Sequence, residues 1–181
     1  MPRLPDIADS ELTPEQKRVK SEISSAHLRD GTVHGPFPIW LRIPEFADFG
    51  NRFLNSIRVH GKLDKRLHEL AVIIVARDWT AQFVWFAHAR QGIRAGLSQD
   101  VVDAIKNRQV PKFTREDEQL VYDVMTELIK TRELSQSTYE KAMNVLGVDL
   151  LIELITGAGF YTMISMLVNT FDSTEGQHPL D

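Results

Sequence analysis

The spacing of apolar residues along the chain predicts helices. In the segment TAQFVWFAHARQGIRAGL, residues 80–97, apolar and small side chains recur every three or four residues, which is the period of one helix face. Residues 63–77 are rich in β-branched side chains and resemble a buried strand, but leucines at helical spacing and a cap at Asp64 favour a helix. Both segments are predicted to be helices, and the helix over residues 63–77 is predicted to lie at the centre of the protein.

Start and stop signals divide the remaining chain into further helices, about eight in all. They are predicted from Pro14 to about Arg29, from Pro44 to Gly61, over 63–77, over 80–95, from Ser98 to about Asn107, from Thr114, from Ser135 to Leu146, and in a long last helix ending near Phe171. The loop DGTVHGPFPIW carries two glycines and two prolines and separates the first two. We therefore expect an all-α single-domain bundle over residues 14–172, with an N-terminal arm at 1–13 and a polar tail at 173–181.

The segment at 150–171 is apolar and long enough to cross a membrane. Glu153 lies inside it, Asp149 and Asp172 flank it, and no lysine or arginine follows it to set an orientation. We predict instead a helix buried in the bundle or in a subunit interface, and hence a homo-oligomer with no membrane partner. The N-terminal segment is acidic and lacks an apolar core, so a cytoplasmic location is expected rather than secretion.

Composition excludes several functions. The chain has 181 residues, a net charge of −4 and no basic cluster, so no nucleic-acid partner is expected. It has no cysteine, which removes disulfides, thiol nucleophiles and cysteine-bound zinc. A small acidic molecule still fits as the ligand, because its pocket needs only one or two cations.

A histidine on an otherwise apolar helix face is the first candidate for chemistry. His88 is either a core histidine bonded to a carbonyl oxygen or a proton-transfer group. Glu69 lies in the neighbouring apolar helix, where a buried carboxylate needs a partner. A Glu–His pair would satisfy both groups and orient the imidazole. His68 beside Glu69 supports the other interpretation, in which this turn is exposed.

Three further residues are candidates for substrate contact. Arg66 shares a helix face with Glu69, so it either forms a salt bridge with Glu69 or holds a substrate carboxylate. Trp85 is a core residue or a wall of the same cavity as His88, and His34 is a lid residue or a solvated loop histidine. No HExxH spacing, glycine-rich phosphate loop or GxSxG motif occurs, so neither a metal nor another cofactor is expected.

The segment LDKRLHELAVIIVARDWTAQFVWFAHARQGIRAGLSQDVVDAI, residues 63–105, resembles the carboxymuconolactone decarboxylase and alkylhydroperoxidase-like superfamily. An R-x-x-E-L helix is followed by W-x-x-H and then A-G-L-S, here at Arg66, Glu69, Leu70, Trp85, His88 and Ala95–Ser98. The ending GFYTMISMLVNTF is similar to the family's closing helix. The resemblance implies an all-α fold and an oligomer.

The resemblance also bears on the chemistry. In the peroxidase branch a C-x-x-C pair lies between the glutamate and the histidine, and its cysteines fall here on Ala81 and Val84. The resemblance therefore implies no cysteine peroxidase. The cysteine-free branch implies a cofactor-free lyase that decarboxylates a small carboxylated lactone in aromatic catabolism. In that enzyme His88 and Glu69 would be catalytic, while Arg66 would anchor a carboxylate.

An alternative from another class is a non-catalytic oligomeric scaffold or small-ligand binder that has lost its redox cysteines. A pocket that holds Glu69, His88 and Arg66 together would favour the enzyme. A dry interior in which His88 bonds only a backbone carbonyl would favour the alternative.

Overall fold

A computed structural model describes residues 3–23, 28–29, 32–171 and 180 of the chain. In these ranges the elements are α1 (Pro14–Glu22), β1 (Leu28–Arg29), β2 (Thr32–Val33), α2 (Phe37–Trp40), α3 (Pro44–His60), α4 (Lys65–Asp78), α5 (Gln82–Ala95), α6 (Gln99–Lys106), α7 (Glu116–Thr131), α8 (Gln136–Val145) and α9 (Gly147–Phe171). The predicted all-α class is confirmed, and each of the eight predicted helices is present. The short α2 is an addition that the sequence did not predict.

The first helix ends earlier than predicted. It stops at Glu22, and the backbone of Ile23 is already extended. Leu28 pairs with Val33 in a minimal antiparallel hairpin, so the backbone near residue 29 bonds across two short strands rather than along a helix. In the sequence, Asp30-Gly31 follows Arg29, and an Asp-Gly dipeptide is a type that favours tight hairpin turns.

Helix boundaries follow the capping residues closely. The side chains of Thr13, Asp64, Ser98 and Ser135 each accept a backbone N–H from the first turn of the helix that follows. Gly96 ends α5 in the left-handed conformation, at φ 108°. The start of α7 differs from the prediction, because it begins at Glu116 and its N-cap, Arg115, makes no capping side-chain bond.

The chain divides into two compact units, residues 1–61 with 167–175 and residues 62–166 with 176–181. Of the tail predicted at 173–181, only Leu180 lies within the described residues. In the first unit α1 contacts α3, and the Gln16 amide donates to the Leu41 carbonyl oxygen at 2.9 Å. The buried rings of Phe37 and Trp40 meet edge to face there.

The second unit is built around α4, which is the predicted central helix. Nine consecutive residues of α4, from 69 to 77, are buried, and the seven between Glu69 and Arg77 are all apolar. The helices α5, α6 and α7 all pack against it. The Glu153 carboxylate of α9 accepts the backbone N–H groups of Lys62 and Leu63, at 2.9 and 3.2 Å. This explains the acidic residue within the most apolar segment of the chain.

By length and composition α9 is able to cross a membrane, and half of its most apolar window is buried within the protein. The core helix of a soluble protein has the same properties. The position of Glu153, bonded to the start of α4, fits a helix that is part of the folded unit.

Candidate functional site

Glu69 and His88 form a buried pair between α4 and α5. The His88 Nδ1 atom lies 2.7 Å from the Glu69 Oε2 atom. The two side chains are only 8% and 4% exposed. The predicted pairing is therefore present, and the imidazole bonds a carboxylate rather than a backbone carbonyl. Glu69 is buried, so the alternative interpretation in which this turn of the helix is exposed is wrong for Glu69.

The hydrogen bond fixes the chemical orientation of the imidazole. A carboxylate can only accept, so the Nδ1 atom of His88 carries a proton toward Glu69. In the neutral ring this leaves the Nε2 lone pair as a base, and in the charged ring Nε2–H is an acid. Within the described part of the chain, the bond to Glu69 is the one hydrogen bond of this side chain. The Nε2 atom is thus the one that can exchange a proton with another molecule.

A glycine allows the two helices to come close at this point. Gly92 lies one turn after His88 on α5 and is buried. A Cβ atom at this position would lie 3.5 Å from the Glu69 Cβ atom and 2.8 Å from the Leu97 Cδ1 atom. The missing side chain therefore leaves room for Glu69 and Leu97 beside α5, one turn from the imidazole.

Tyr161 of α9 packs against the histidine and was not predicted. Its ring centroid lies 4.7 Å from that of His88, at an interplanar angle of 76°. His68 contacts the same tyrosine ring, with centroids 5.7 Å apart. Tyr161 is buried, so its ring restricts the imidazole on a side that Glu69 does not cover. In the sequence, Tyr161 differs from its neighbours only because it is an aromatic side chain with a hydroxyl group in a segment that is predicted to be a buried helix.

Arg66 has different partners from those expected. Its guanidinium donates to Glu118 at 2.7 Å and to Asp117 at 2.6 and 3.3 Å, both in the first turn of α7. The expected salt bridge to Glu69 does not appear among the described contacts, because the guanidinium reaches α7 instead. The prediction that Arg66 holds a substrate carboxylate stays a prediction, and two protein carboxylates already occupy its donors.

The ion pair shifts the pKa values of two of its members, Arg66 and Asp117. Burial disfavours the charged guanidinium, but the hydrogen bonds to Asp117 and Glu118 outweigh it and raise the pKa of Arg66. The same contact lowers the pKa of Asp117 below its ordinary value. The Arg66 guanidinium and the Asp117 carboxylate are therefore both charged at neutral pH.

The other two predicted substrate contacts, Trp85 and His34, lie in different units of the chain. Trp85 is buried on α5, one turn before His88, which fits either a core residue or a cavity wall. His34 is half-buried directly after β2 and belongs to the first unit, whereas the other four candidates belong to the second. Among the residues that the structure describes, no three metal-ligating side chains come together.

No protein family, curated protein or solved structure matches this chain. A carboxylate, an imidazole and an aromatic ring in a buried cluster provide an oriented acid–base group in a water-poor environment. No thiol is available for redox chemistry, because the chain has no cysteine.

Proposed function

We propose that the protein is a cofactor-free enzyme in which His88, oriented by Glu69, transfers a proton to a small substrate. The observation that carries this proposal is the buried hydrogen bond of 2.7 Å between the two side chains. A carboxylate on Nδ1 holds the ring in one tautomer and stabilises its charged form. The Nε2 atom is then the proton donor.

The reaction that we propose is decarboxylation of a small carboxylated lactone, which would make the protein a cytoplasmic lyase. Breaking the bond to CO2 leaves an electron pair delocalised onto the lactone carbonyl, and a carbon atom then takes up a proton. His88 Nε2–H supplies that proton, and Glu69 stabilises the charged imidazole before the transfer. The support for this substrate class is the resemblance of residues 63–105 described above. Tyr161 and Trp85 would limit the access of water.

We assign Arg66 to holding α4 on α7, while the contact of its guanidinium with a substrate carboxylate stays a prediction. Its donors already serve Asp117 and Glu118, and removal from these carboxylates would leave a buried negative charge unpaired. Contact of the substrate with Trp85 stays a prediction, and so does, separately, substrate binding by His34 in the first unit.

A second candidate is a non-catalytic scaffold or small-ligand binder. The observation that favours it is the low exposure of the pair, at 8% and 4%, because a purely structural Glu–His pair would be buried to the same degree. In that case Glu69 and His88 would contribute to stability alone, and their replacement would change unfolding but no reaction.

The test is a decarboxylation assay on γ-carboxymuconolactone with chelator-treated protein, following release of CO2. We expect His88→Gln to lower turnover by about 10²- to 10⁴-fold, which is the usual contribution of a general acid. His60→Gln is the matched control, because His60 is exposed at the end of α3. Circular dichroism checks that each variant folds.

Two results would count against the enzyme. A folded His88→Gln protein with full turnover would remove His88 from the mechanism. A wild-type protein that turns over no carboxylated lactone, but binds one with the same affinity as the His88→Gln variant, would instead support the binding protein.

A further inference from the structure

The last helix has a second apolar face that its own protomer leaves exposed. Val148, Ile152, Met163 and Met166 are between 41% and 59% exposed. The opposite side of α9 is buried in the protein, at residues such as Leu154 and Ile164. A helix that packs on one side alone normally carries polar residues on the other, so this second face needs an explanation.

The exposed positions follow a coiled-coil repeat. We define the α9 seam as Ile152, Thr156, Gly159, Met163 and Met166, all of them exposed and separated by four, three, four and three residues. This is the 3.5-residue repeat by which one helix presents a continuous contact line to another. Val148 extends the line by one turn.

We propose that the α9 seam is an interface between two copies of this chain, packed antiparallel about a twofold axis at Gly159. The two ends of the seam are equidistant from this glycine, because Ile152 lies seven residues before it and Met166 seven residues after it, while Thr156 lies three before and Met163 four after. Antiparallel pairing therefore places Ile152 of one protomer opposite Met166 of its partner. Such self-complementarity is what a twofold interface requires.

Gly159 supports a close contact at the axis. It lies in the middle of a long helix, where glycine is less favourable than alanine. A Cβ atom at Gly159 would meet nothing within 4 Å among the residues of its own protomer that the structure describes, so these residues do not require glycine there. A second helix backbone that approaches closely at this point would explain the glycine, and such an approach brings the two Cα atoms of this position within the range of a disulfide.

The charge of the helix also favours a copy of itself over a charged partner. Asp149 and Glu153 are the two charged residues between 147 and 171, and neither belongs to the seam. The Glu153 carboxylate bonds the backbone of Lys62 and Leu63. The seam therefore has no charge to pair with a basic or acidic partner, and an equally uncharged apolar surface fits it best.

The size of the seam sets the expected strength of the dimer. From Val148 to Met166 the helix extends about 27 Å, and a helix is about 10 Å wide. The footprint of roughly 300 Å² is in the range at which exposed apolar patches mark interaction sites. It is smaller than the about 800 Å² per partner of a standard stable interface. We therefore expect a dimer that dissociates at micromolar concentration.

Single-cysteine crosslinking tests this geometry directly, because the natural chain has no cysteine. A disulfide needs Cα atoms within about 7 Å. Gly159→Cys at the axis is expected to form a covalent dimer on mild oxidation at tens of micromolar. Ile152→Cys alone is expected not to do so, because antiparallel pairing separates the two copies of this position by about 21 Å along the helix. Mixing the Ile152→Cys protein with the Met166→Cys protein is expected to give a covalent dimer that contains one copy of each variant.

The control is Val110→Cys, at a residue that is 75% exposed and outside the seam. Sedimentation of the cysteine-free protein, with Ile152→Asp and Val110→Asp as a matched pair, gives an independent readout. We expect only Ile152→Asp to abolish the dimer. A monomeric wild type at tens of micromolar, or equal crosslinking of Gly159→Cys and Val110→Cys, would overturn the proposal. Self-crosslinking of Ile152→Cys would overturn the antiparallel arrangement, and a monomer that sediments with phosphatidylcholine vesicles would identify a membrane surface instead.

Discussion

Replacing Arg66 with methionine removes the positive charge that faces two carboxylates on α7. The Arg66 and Glu118 side chains are each 5% exposed, and Asp117 is 35% exposed. Methionine has a similar length and fills the same space without a charge. The variant therefore keeps most of the packing and leaves Glu118 as a buried carboxylate without its counter-ion.

The expected magnitude follows from which partner can return to water. Asp117 is exposed enough to recover hydration, whereas Glu118 is not, so the loss arises mainly from Glu118. Breaking a buried ion pair by removing one partner typically lowers the free energy of unfolding by about 3–5 kcal/mol. For a chain of this length, 1 kcal/mol corresponds to about 2–4 °C, so Tm is expected to fall by roughly 6–20 °C.

The assay is urea unfolding followed by circular dichroism, with Arg66→Met/Glu118→Leu as the control variant. Removing both charges leaves no buried ion, and apolar replacement of a buried pair is often neutral or stabilising. The double variant is therefore expected to recover most of the lost stability. An Arg66→Met protein as stable as the wild type, or a double variant less stable than the single one, would refute this reasoning.

Three further predictions concern other parts of the molecule. Because the Arg66 contact lowers the folded-state pKa of Asp117 below its unfolded value of about 3.9, this stabilisation is present above that value and is lost as the pH falls. Asp117→Asn is therefore expected to flatten the acid side of the stability profile, measured by urea unfolding at a series of pH values, and an unchanged slope would contradict it. Gly50→Ala places a Cβ atom 2.5 Å from a ring atom of Trp40, so we expect a net loss of about 1–2 kcal/mol in unfolding free energy despite the better helix propensity of alanine. A stabilised variant would show that the ring moves freely. Tyr161→Leu removes the ring that packs on His88 and is expected to lower turnover about tenfold through a misplaced imidazole, whereas Tyr161→Phe retains it; equal turnover of the two variants would exclude a positioning role for the ring.

The helices could be predicted from the sequence because their signals are local. Thr13 and Ser98 each lie within three residues of the backbone N–H that they cap, and apolar spacing marks the buried face of a helix within the helix itself. The hairpin of Leu28 with Val33 and the single turn at Phe37–Trp40 escaped prediction. Both are too short to produce a periodic pattern, and α2 is held by its packing on α3.

The candidate site was predictable only in part, for a related reason. The pairing of Glu69 with His88 followed from the rule that a buried polar group needs a partner, applied to two neighbouring helices. The partners of Arg66 lie more than fifty residues away on α7. Tyr161 lies farther still from His88 along the chain. No spacing rule connects such distant positions, since tertiary packing alone brings them together.

The central claim is that Glu69 and His88 act as one proton-transferring unit, and a double-variant cycle tests it most directly. Turnover of γ-carboxymuconolactone is measured for the wild type, Glu69→Gln, His88→Gln and the double variant. If Glu69 acts only through His88, the double variant is expected to be no slower than His88→Gln alone. Losses that multiply, or a Glu69→Gln variant with unchanged turnover, would contradict the account.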